Sequence, residues 1–287
     1  MCAKAPMTGK TLVMGSFDGI HLGHAEVVRE ALRRDPEATV VCFEPVPRQY
    51  FGYPEWHRRL TTPQERANRL GELEVGSIEV LCFDEEVQER DSGDFLSELT
   101  GDGAVRRIVV GYDYHFGRRR EGGVDTLQSW CRHRDIEVVI VGPVMLGDKD
   151  VKSERIRDLI DAGDLEKAAR LLGRRYSALG PVSRGRGVGK RLGFPTMNVR
   201  VPGCKLLPPA GSYAGLLGRS PMAVFVPRTR KGLVEAHSPH GRSFPYGTVV
   251  EVEFVEFLRE PERGLDDEHL AALIKTDVRK VMEVAEE

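Results

Sequence analysis

The feature that most constrains the fold is a regular alternation of apolar and amphipathic stretches over the first half of the chain. Five apolar runs are predicted to be buried strands: Thr11–Met14, Thr39–Phe43, Ile78–Phe83, Arg107–Val110 and Ile136–Val141. The stretches between them have helical periodicity: His24–Arg34, Pro63–Leu73, Gly93–Leu99 and Val124–Arg134. This alternation predicts an α/β domain with a doubly wound parallel sheet, which binds ligands beyond the carboxyl ends of its strands.

The composition and the pattern of the sequence change in the second half of the chain. Ser153–Leu172 is predicted to form two short helices, and glycine and proline become dense after Gly173. Short strands are predicted there: Ser177–Val182, Tyr213–Leu217, Ala223–Val226, Leu233–His237 and Val249–Phe257. They indicate a small antiparallel β-barrel or sandwich, followed by a C-terminal helix over Asp266–Val284. We therefore expect two domains, residues 1–173 and 174–287.

Composition excludes several classes of protein. The 42 Lys and Arg residues are balanced by 44 Asp and Glu residues, which gives no indication of nucleic-acid binding. The five cysteines lie far apart without metal-ligand spacing, which favours a reducing compartment. Cys42 and Cys82 lie within apolar runs and are expected in the core. Because no apolar run approaches the roughly 20 residues of a membrane span, we expect a cytoplasmic protein without membrane or nucleic-acid partners. The oligomeric state stays open.

The first motif with chemical character is GSFDGIHLGH, residues 15–24, which joins the first strand to a helix. Glycines allow the backbone to approach a phosphate, and a helix N-terminus offers N–H groups to it. His21 and His24 could donate hydrogen bonds to the oxygens of a phosphate under attack. The alternative is a helix start with two incidental imidazoles, but HxGH directly after a first strand is more specific than that.

The second motif, residues 185–198, combines a glycine-rich loop with cations and a strand-like end. Such a loop can wrap a polyphosphate with its N–H groups. Thr196 and Asn198 alternate along the strand, so both can face one side as oxygen ligands of Mg²⁺. The alternative is a basic, flexible loop between two strands.

These motifs resemble those of a known family. HxGH is typical of the nucleotidyltransferase superfamily, and GSFDGIHLGH resembles its FMN adenylyltransferase branch. Residues 43–48 are similar to that branch's F-x-P-H-P, with Val46 in place of histidine. Residues 59–61 match R-L-T, and residues 111–117 fit G-x-D-F-x-F-G with Tyr114 in place of the first phenylalanine. Residues 185–198 resemble the riboflavin kinase signature, and residues 234–237 and 246–247 fit its V-E-x-H and Y-G. The chain thus resembles the bifunctional riboflavin kinase/FMN adenylyltransferases, the prokaryotic FAD synthetases.

The resemblance implies a function and a set of site residues. Riboflavin would be phosphorylated to FMN, and FMN joined to AMP to give FAD and pyrophosphate, with ATP as co-substrate and Mg²⁺ as cofactor. Riboflavin, FMN, FAD and ATP would be the partners. Glu235 would be the base in the first reaction, and His21 and His24 would be catalytic in the second. The ATP and phosphate contacts would be Gly15, Phe17, Asp18, Gly23, Ser153, Arg157, Gly185, Gly189, Lys190, Pro195 and Thr196. The flavin contacts would be Asp113, Phe116 and Arg118, and the metal ligands Thr196 and Asn198.

Two departures from the family pattern keep alternatives open. Lys152, Ser153 and Glu154 replace the family's S-S-T, and we hypothesise that Lys152 meets the triphosphate while Glu154 faces outward. The segment 219–245 lacks the family's N-x-G-x-x-P-T and L-D-F-D-G-D-L. The alternatives are a chain with one active half, most simply an adenylyltransferase with a degenerate kinase domain, a non-catalytic flavin or nucleotide-binding regulator, and a cytidylyltransferase.

Overall fold

A computed structural model describes residues 11–51, 58–101, 103–185, 187–229 and 232–286. The described residues divide into two compact units. The first contains those of Met1–His57 and Thr61–Ser153, and the second contains those of Arg58–Leu60 and Glu154–Glu287. Each unit has its own sheet, as the change of pattern along the sequence indicates.

The first unit is built on a parallel sheet with the strand order β3-β2-β1-β4-β5. Its strands are β1 Thr11–Met14, β2 Thr39–Glu44, β3 Ser77–Cys82, β4 Arg107–Gly111 and β5 Glu137–Val141. Because β1 pairs with both β2 and β4, the winding of the chain reverses at β1. Ligands of doubly wound sheets bind at such a switch point, beyond the carboxyl ends of the strands. The predicted fold class is confirmed.

Helices connect these strands: α1 Leu22–Arg34, α2 Pro47–Tyr50, α3 Pro63–Glu72, α4 Glu85–Glu89, α5 Ser92–Thr100 and α6 Val124–Arg132. A short hairpin follows β5, with the strands β6 Met145–Leu146 and β7 Lys149–Asp150. Helix α7, Ser153–Asp161, begins at the last residue of the first unit.

The central strands are buried on both faces, which explains why they are continuously apolar in the sequence. Leu12 and Met14 belong to one hydrophobic cluster, whereas Val13 between them belongs to a second cluster. Cys42 is buried in β2, as expected. The expectation for Cys82 is wrong, because β3 is an edge strand and leaves this thiol exposed.

The second unit is a closed antiparallel barrel with the order β10-β11-β12-β9-β8-β13, so it is a barrel and not a sandwich. Its strands are β8 Tyr176–Ser183, β9 Thr196–Arg200, β10 Gly211–Leu217, β11 Ser220–Val226, β12 Leu233–His237 and β13 Val249–Arg259. Its other helices are α8 Leu165–Leu172, α9 Val188–Arg191 and α10 Asp267–Glu286.

Helix α10 is fixed to the barrel by one buried carboxylate. Asp277 is 4% exposed and accepts hydrogen bonds from Arg259 Nε at 3.0 Å and Nη2 at 2.8 Å. The hydroxyl of Ser212 also donates to Asp277, at 2.7 Å. A bidentate arginine contact of this kind fixes both position and direction, so α10 is a defined part of the barrel unit. Across the described part of the chain, no helix is both long and apolar enough to cross a membrane.

Candidate active sites

The loop that follows β1 is tightly wound and carries the first motif. A Cβ on Gly15 would lie 2.9 Å from the Phe17 ring, so only glycine allows this ring, which is 1% exposed, to pack over the backbone. Gly19 has φ +95°, and Phe17 and Ile20 have φ +50° and +38°. A positive φ at a non-glycine residue costs on the order of 1–3 kcal/mol, and such strained residues cluster at functional sites.

The two histidines of the motif lie at the start of α1 with their rings stacked. The ring centroids are 3.7 Å apart, and the planes are inclined by 17°. His21 caps the helix, and its Nδ1 accepts a hydrogen bond from the backbone N–H of His24 at 3.2 Å. In a neutral imidazole this places the proton of His21 on Nε2, which is therefore a hydrogen-bond donor.

The N-terminus of α1 is suited to an anion. This helix has 13 residues and no acidic side chain in its first turn. Its dipole and its first N–H groups therefore favour negative charge at this end. A Cβ on Gly23 would lie 3.2 Å from the His21 ring and 3.4 Å from the Val151 carbonyl oxygen, so glycine allows a close approach here too.

Asp18, expected among the phosphate contacts, uses its carboxylate to hold the loop. Its Oδ1 accepts hydrogen bonds from the Thr61 N–H at 2.9 Å and from the Thr61 hydroxyl at 3.1 Å. The same hydroxyl accepts from the Gly19 N–H at 2.9 Å. Ser153, another expected phosphate contact, donates from its hydroxyl to the Asp18 carbonyl at 2.8 Å. These contacts favour a positioning role for both residues.

Arg66 of α3 also holds this loop. Its Nη1 donates to the carbonyl oxygens of Ser16 at 3.2 Å and Phe43 at 3.1 Å. Its Nη2 donates to Glu44 at 3.0 Å. Arg66 is 2% exposed and therefore ties the first motif to the end of β2 from within the protein. The sequence reasoning missed Arg66, and no motif pointed to it.

The expected flavin contacts follow β4, beside the switch point. Asp113 is exposed, whereas Phe116 is 6% exposed and stacks on Tyr114 in the core, with 5.6 Å between the ring centroids. The structure therefore does not bring Phe116 to the surface of the site. Arg118 is exposed and lines a cavity of about 410 Å³ with Glu89, Arg119 and Glu121.

Lys152 lies in a charged cluster on the same edge of the sheet. Its Nζ is 3.1 Å from Asp150 Oδ2 and 3.7 Å from Asp113 Oδ2. Hydrogen bonds with Tyr112 and Asp150 raise the pKa of Lys152, so its ammonium group is charged at neutral pH. Glu154 is exposed. That it faces away from a bound triphosphate stays a prediction. The contact of Lys152 with a triphosphate stays a prediction.

Arg157, an expected ATP contact, belongs to the second unit. It is 6% exposed, and its Nε donates to the carbonyl oxygen of Arg58 at 3.2 Å. The contact of Arg157 with ATP stays a prediction.

In the barrel, strand register brings the candidate base and the candidate metal ligands together. Glu235 of β12 lies directly opposite Asn198 of β9, and His237 lies opposite Thr196. Directly opposite residues share a face of the sheet, so these four side chains lie on one face. Glu235 and Thr196 are half-buried, and Asn198 is 8% exposed.

The glycine-rich loop packs closely on this face. A Cβ on Gly185 would lie 2.1 Å from Asn198 Nδ2. A Cβ on Gly189 would lie 2.4 Å from the Phe194 carbonyl oxygen and 3.1 Å from Thr196 Oγ1. Only glycine at these two positions lets the loop backbone lie this close to its neighbours. Of the other expected phosphate contacts, Lys190 and Pro195 are both exposed.

The donor set of this face fits Mg²⁺. Thr196 offers a hydroxyl oxygen and Asn198 an amide oxygen, the hard donors that Mg²⁺ uses together with water and substrate phosphates. Among the residues that the structure describes, no three His, Cys, Asp or Glu side chains converge as a metal site. A divalent cation would thus depend on these two oxygens and on the phosphates of a bound nucleotide.

The segment that departs from the family pattern ends beside the glycine-rich loop. Tyr246 is 66% exposed, and the Arg184 guanidinium lies 5.5 Å from the centroid of its ring. The backbone N–H of Gly247 donates to the Val182 carbonyl at 2.8 Å. This end of the barrel therefore holds both the phosphate-binding candidates and an exposed aromatic ring.

Comparison with family models matches both units. Residues 3–155, just over half of the chain, match the model described as FAD synthetase. Residues 172–285 match the model described as riboflavin kinase. The two matches cover the two motif regions in the order in which the sequence presents them.

Curated relatives match over nearly the whole chain. The bifunctional riboflavin kinase/FMN adenylyltransferase of Pseudomonas fluorescens is 31% identical, over 94% of this chain and 91% of the relative. The protein of the same name from Haemophilus influenzae is 29% identical, over 96% of this chain and 94% of the relative.

A solved structure has the same fold. A crystal structure from Streptococcus pneumoniae, described as a macrolide-efflux protein, has a TM-score of 0.83 and 25% identity. The match covers 97% of this chain and 95% of that protein. Taken with the family models and the curated relatives, these similarities show that this chain belongs to the bifunctional riboflavin kinase/FMN adenylyltransferase family, the enzymes of FAD biosynthesis.

Proposed function

We propose that this enzyme makes FAD in two consecutive reactions, each in its own unit. The barrel unit phosphorylates riboflavin to FMN with ATP, and the α/β unit joins FMN to AMP from a second ATP. The observation that supports the proposal is that each unit brings one group of the candidate catalytic residues together. These are the stacked His21 and His24 at a helix N-terminus, and Glu235 opposite Asn198 on the barrel.

In the kinase step, Glu235 accepts the proton of the ribityl 5′-hydroxyl. The hydroxyl oxygen bonds to the γ-phosphorus of ATP while the bond between that phosphorus and the β–γ bridging oxygen breaks, which leaves FMN and ADP. Gly185, Gly189, Lys190 and Pro195 contact the phosphates. Thr196 and Asn198 would hold Mg²⁺, which neutralises phosphate charge when bound.

In the adenylyl step, an oxygen of the FMN phosphate bonds to the α-phosphorus of ATP, and pyrophosphate leaves. The nucleophile is already anionic, so no general base is needed. His21, His24 and the first N–H groups of α1 stabilise the charge that develops at phosphorus. Gly15, Phe17 and Gly23 allow the phosphates to approach the backbone, while Asp113 and Arg118 contact the flavin.

We also assign the enzyme to the cytoplasm, with small molecules as its only substrates. The four cysteines described, Cys42, Cys82, Cys131 and Cys204, are all free thiols. Free thiols are typical of reducing compartments, where riboflavin and ATP would be available to the enzyme.

Product analysis tests the proposal. The purified protein, incubated with riboflavin, ATP and Mg²⁺, is expected to give FMN and then FAD by chromatography, and a chelator of divalent cations should stop FMN formation. FAD from supplied FMN without any FMN from riboflavin would show an adenylyltransferase with a degenerate kinase domain. No product from either flavin would contradict the proposal and support a binding regulator.

A further inference from the structure

His237, the last residue of β12, is nearly buried and has no part in the mechanism given above. It is 8% exposed, and strand register places it directly opposite Thr196. Its side chain therefore lies on the face that carries Glu235, two residues earlier in the same strand. A buried imidazole at this place has to contribute either to packing or to the geometry of the site.

His237 contacts the two residues that precede Thr196. Its Nδ1 lies 2.9 Å from the carbonyl oxygen of Pro195. A carbonyl oxygen only accepts hydrogen bonds, so Nδ1 carries a proton and donates. The imidazole also packs edge-to-face on the Phe194 ring, with 5.5 Å between centroids and 80° between the planes.

The contacted residues are those at which the glycine-rich loop returns to the barrel. The Phe194 N–H donates to the Gly189 carbonyl at 2.8 Å, which closes the loop on itself. Thr196 follows directly, and a Cβ on Gly189 would lie 3.1 Å from its hydroxyl oxygen. The peptide between Pro195 and Thr196 therefore determines where this hydroxyl lies.

We infer that His237 is a positioning residue of the kinase site. Its Nδ1–H holds the Pro195 carbonyl, and through that peptide it fixes the Thr196 hydroxyl and the end of the glycine-rich loop for the phosphates of ATP. The inference rests on the proposed kinase reaction and adds a residue to its site.

Two substitutions separate positioning from packing. His237→Asn keeps an amide N–H near the place of Nδ1, whereas His237→Leu fills the space without a donor. His237→Leu is expected to raise the KM for ATP in FMN formation roughly tenfold, since the Pro195 carbonyl loses its hydrogen bond to the imidazole. His237→Asn should keep most of the wild-type KM. Both variants should make FAD from supplied FMN at the wild-type rate. The control His269→Asn, at a side chain that is 73% exposed, should change neither activity.

A spectroscopic measurement tests the contact independently of activity. In ¹⁵N-labelled wild-type protein, the imidazole signals absent from His237→Asn should show the tautomer protonated at Nδ1. A proton on Nε2 alone would overturn the inference, and so would equal impairment by Asn and Leu or an unchanged KM in a folded Leu variant. If the wild type made no FMN, the kinase proposal would fail, whereas the tautomer would still report the His237 contact.

Discussion

Thr61 shows how a single hydroxyl can hold the loop of residues 15–24. It accepts a hydrogen bond from the Gly19 N–H and donates to the Asp18 carboxylate, and it is 2% exposed. Removing the hydroxyl leaves two buried polar groups without this partner, at a cost of about 1–3 kcal/mol for each group. The cost falls on the loop that carries His21 and His24.

We therefore expect Thr61→Val to lower the rate of FAD formation from FMN at least roughly tenfold. Phosphorylation of riboflavin should stay near the wild-type rate, and Thr61→Ser, which keeps the hydroxyl, should retain most activity. Thr100→Val is the matched control, because the buried hydroxyl of Thr100 donates to the Leu96 carbonyl within its own helix and not to the loop of residues 15–24 as far as the structure describes the chain. Equal losses in Thr61→Val and Thr100→Val would show a general effect on stability instead.

The contacts of individual residues were the part of the site that the sequence predicted least well. The motif indicated Asp18 as a phosphate contact, but only the structure shows its carboxylate bonded to Thr61, 43 positions away. The positive φ values of Phe17 and Ile20 oppose the intrinsic preference of these residues, so no local pattern predicts them. Contacts between distant segments determine all of these features.

At the scale of the elements, the glycine-rich loop can be tested by one substitution. Gly185→Ala places a methyl group where Asn198 Nδ2 now lies. The amide must move, so we expect FMN formation to fall at least tenfold, with a higher KM for ATP. FAD formation from FMN should not change. Gly203→Ala is the control in the same unit, because a Cβ there meets none of the described atoms within 4 Å. A fully active Gly185→Ala enzyme would show that the Asn198 amide has no role in the reaction.

Strands bounded by turn residues were predicted closely, whereas a one-turn helix and a two-residue strand were not. The strands Thr11–Met14 and Leu233–His237 have the bounds that the sequence predicts, because apolar runs end there at turn residues. The four-residue helix Pro47–Tyr50 and the two-residue strand Met145–Leu146 are too short for any periodicity to indicate them. The register that places Glu235 opposite Asn198 depends on barrel closure, which no local pattern contains.

At the scale of the whole molecule, the two units explain how one chain can catalyse both phosphoryl transfer and adenylyl transfer. The parallel sheet supplies a helix N-terminus at a switch point, which suits an anionic nucleophile and a triphosphate. The barrel supplies neighbouring strands, whose register places a carboxylate beside an amide and a hydroxyl. Neither unit needs the chemistry of the other, so the two activities should be separable. The boundary at residue 173 stays a prediction.

The most direct test of this account is to measure both activities in two variants. His24→Ala should lower FAD formation from FMN by about 10²–10³-fold and leave riboflavin phosphorylation near wild type, because one positioned donor is lost at the adenylyl site. Glu235→Gln should stop FMN formation from riboflavin and still convert supplied FMN to FAD. Chromatography of riboflavin, FMN and FAD over time gives all four rates. If either substitution lowered both activities to the same extent in a folded protein, the assignment of one reaction to each unit would be contradicted.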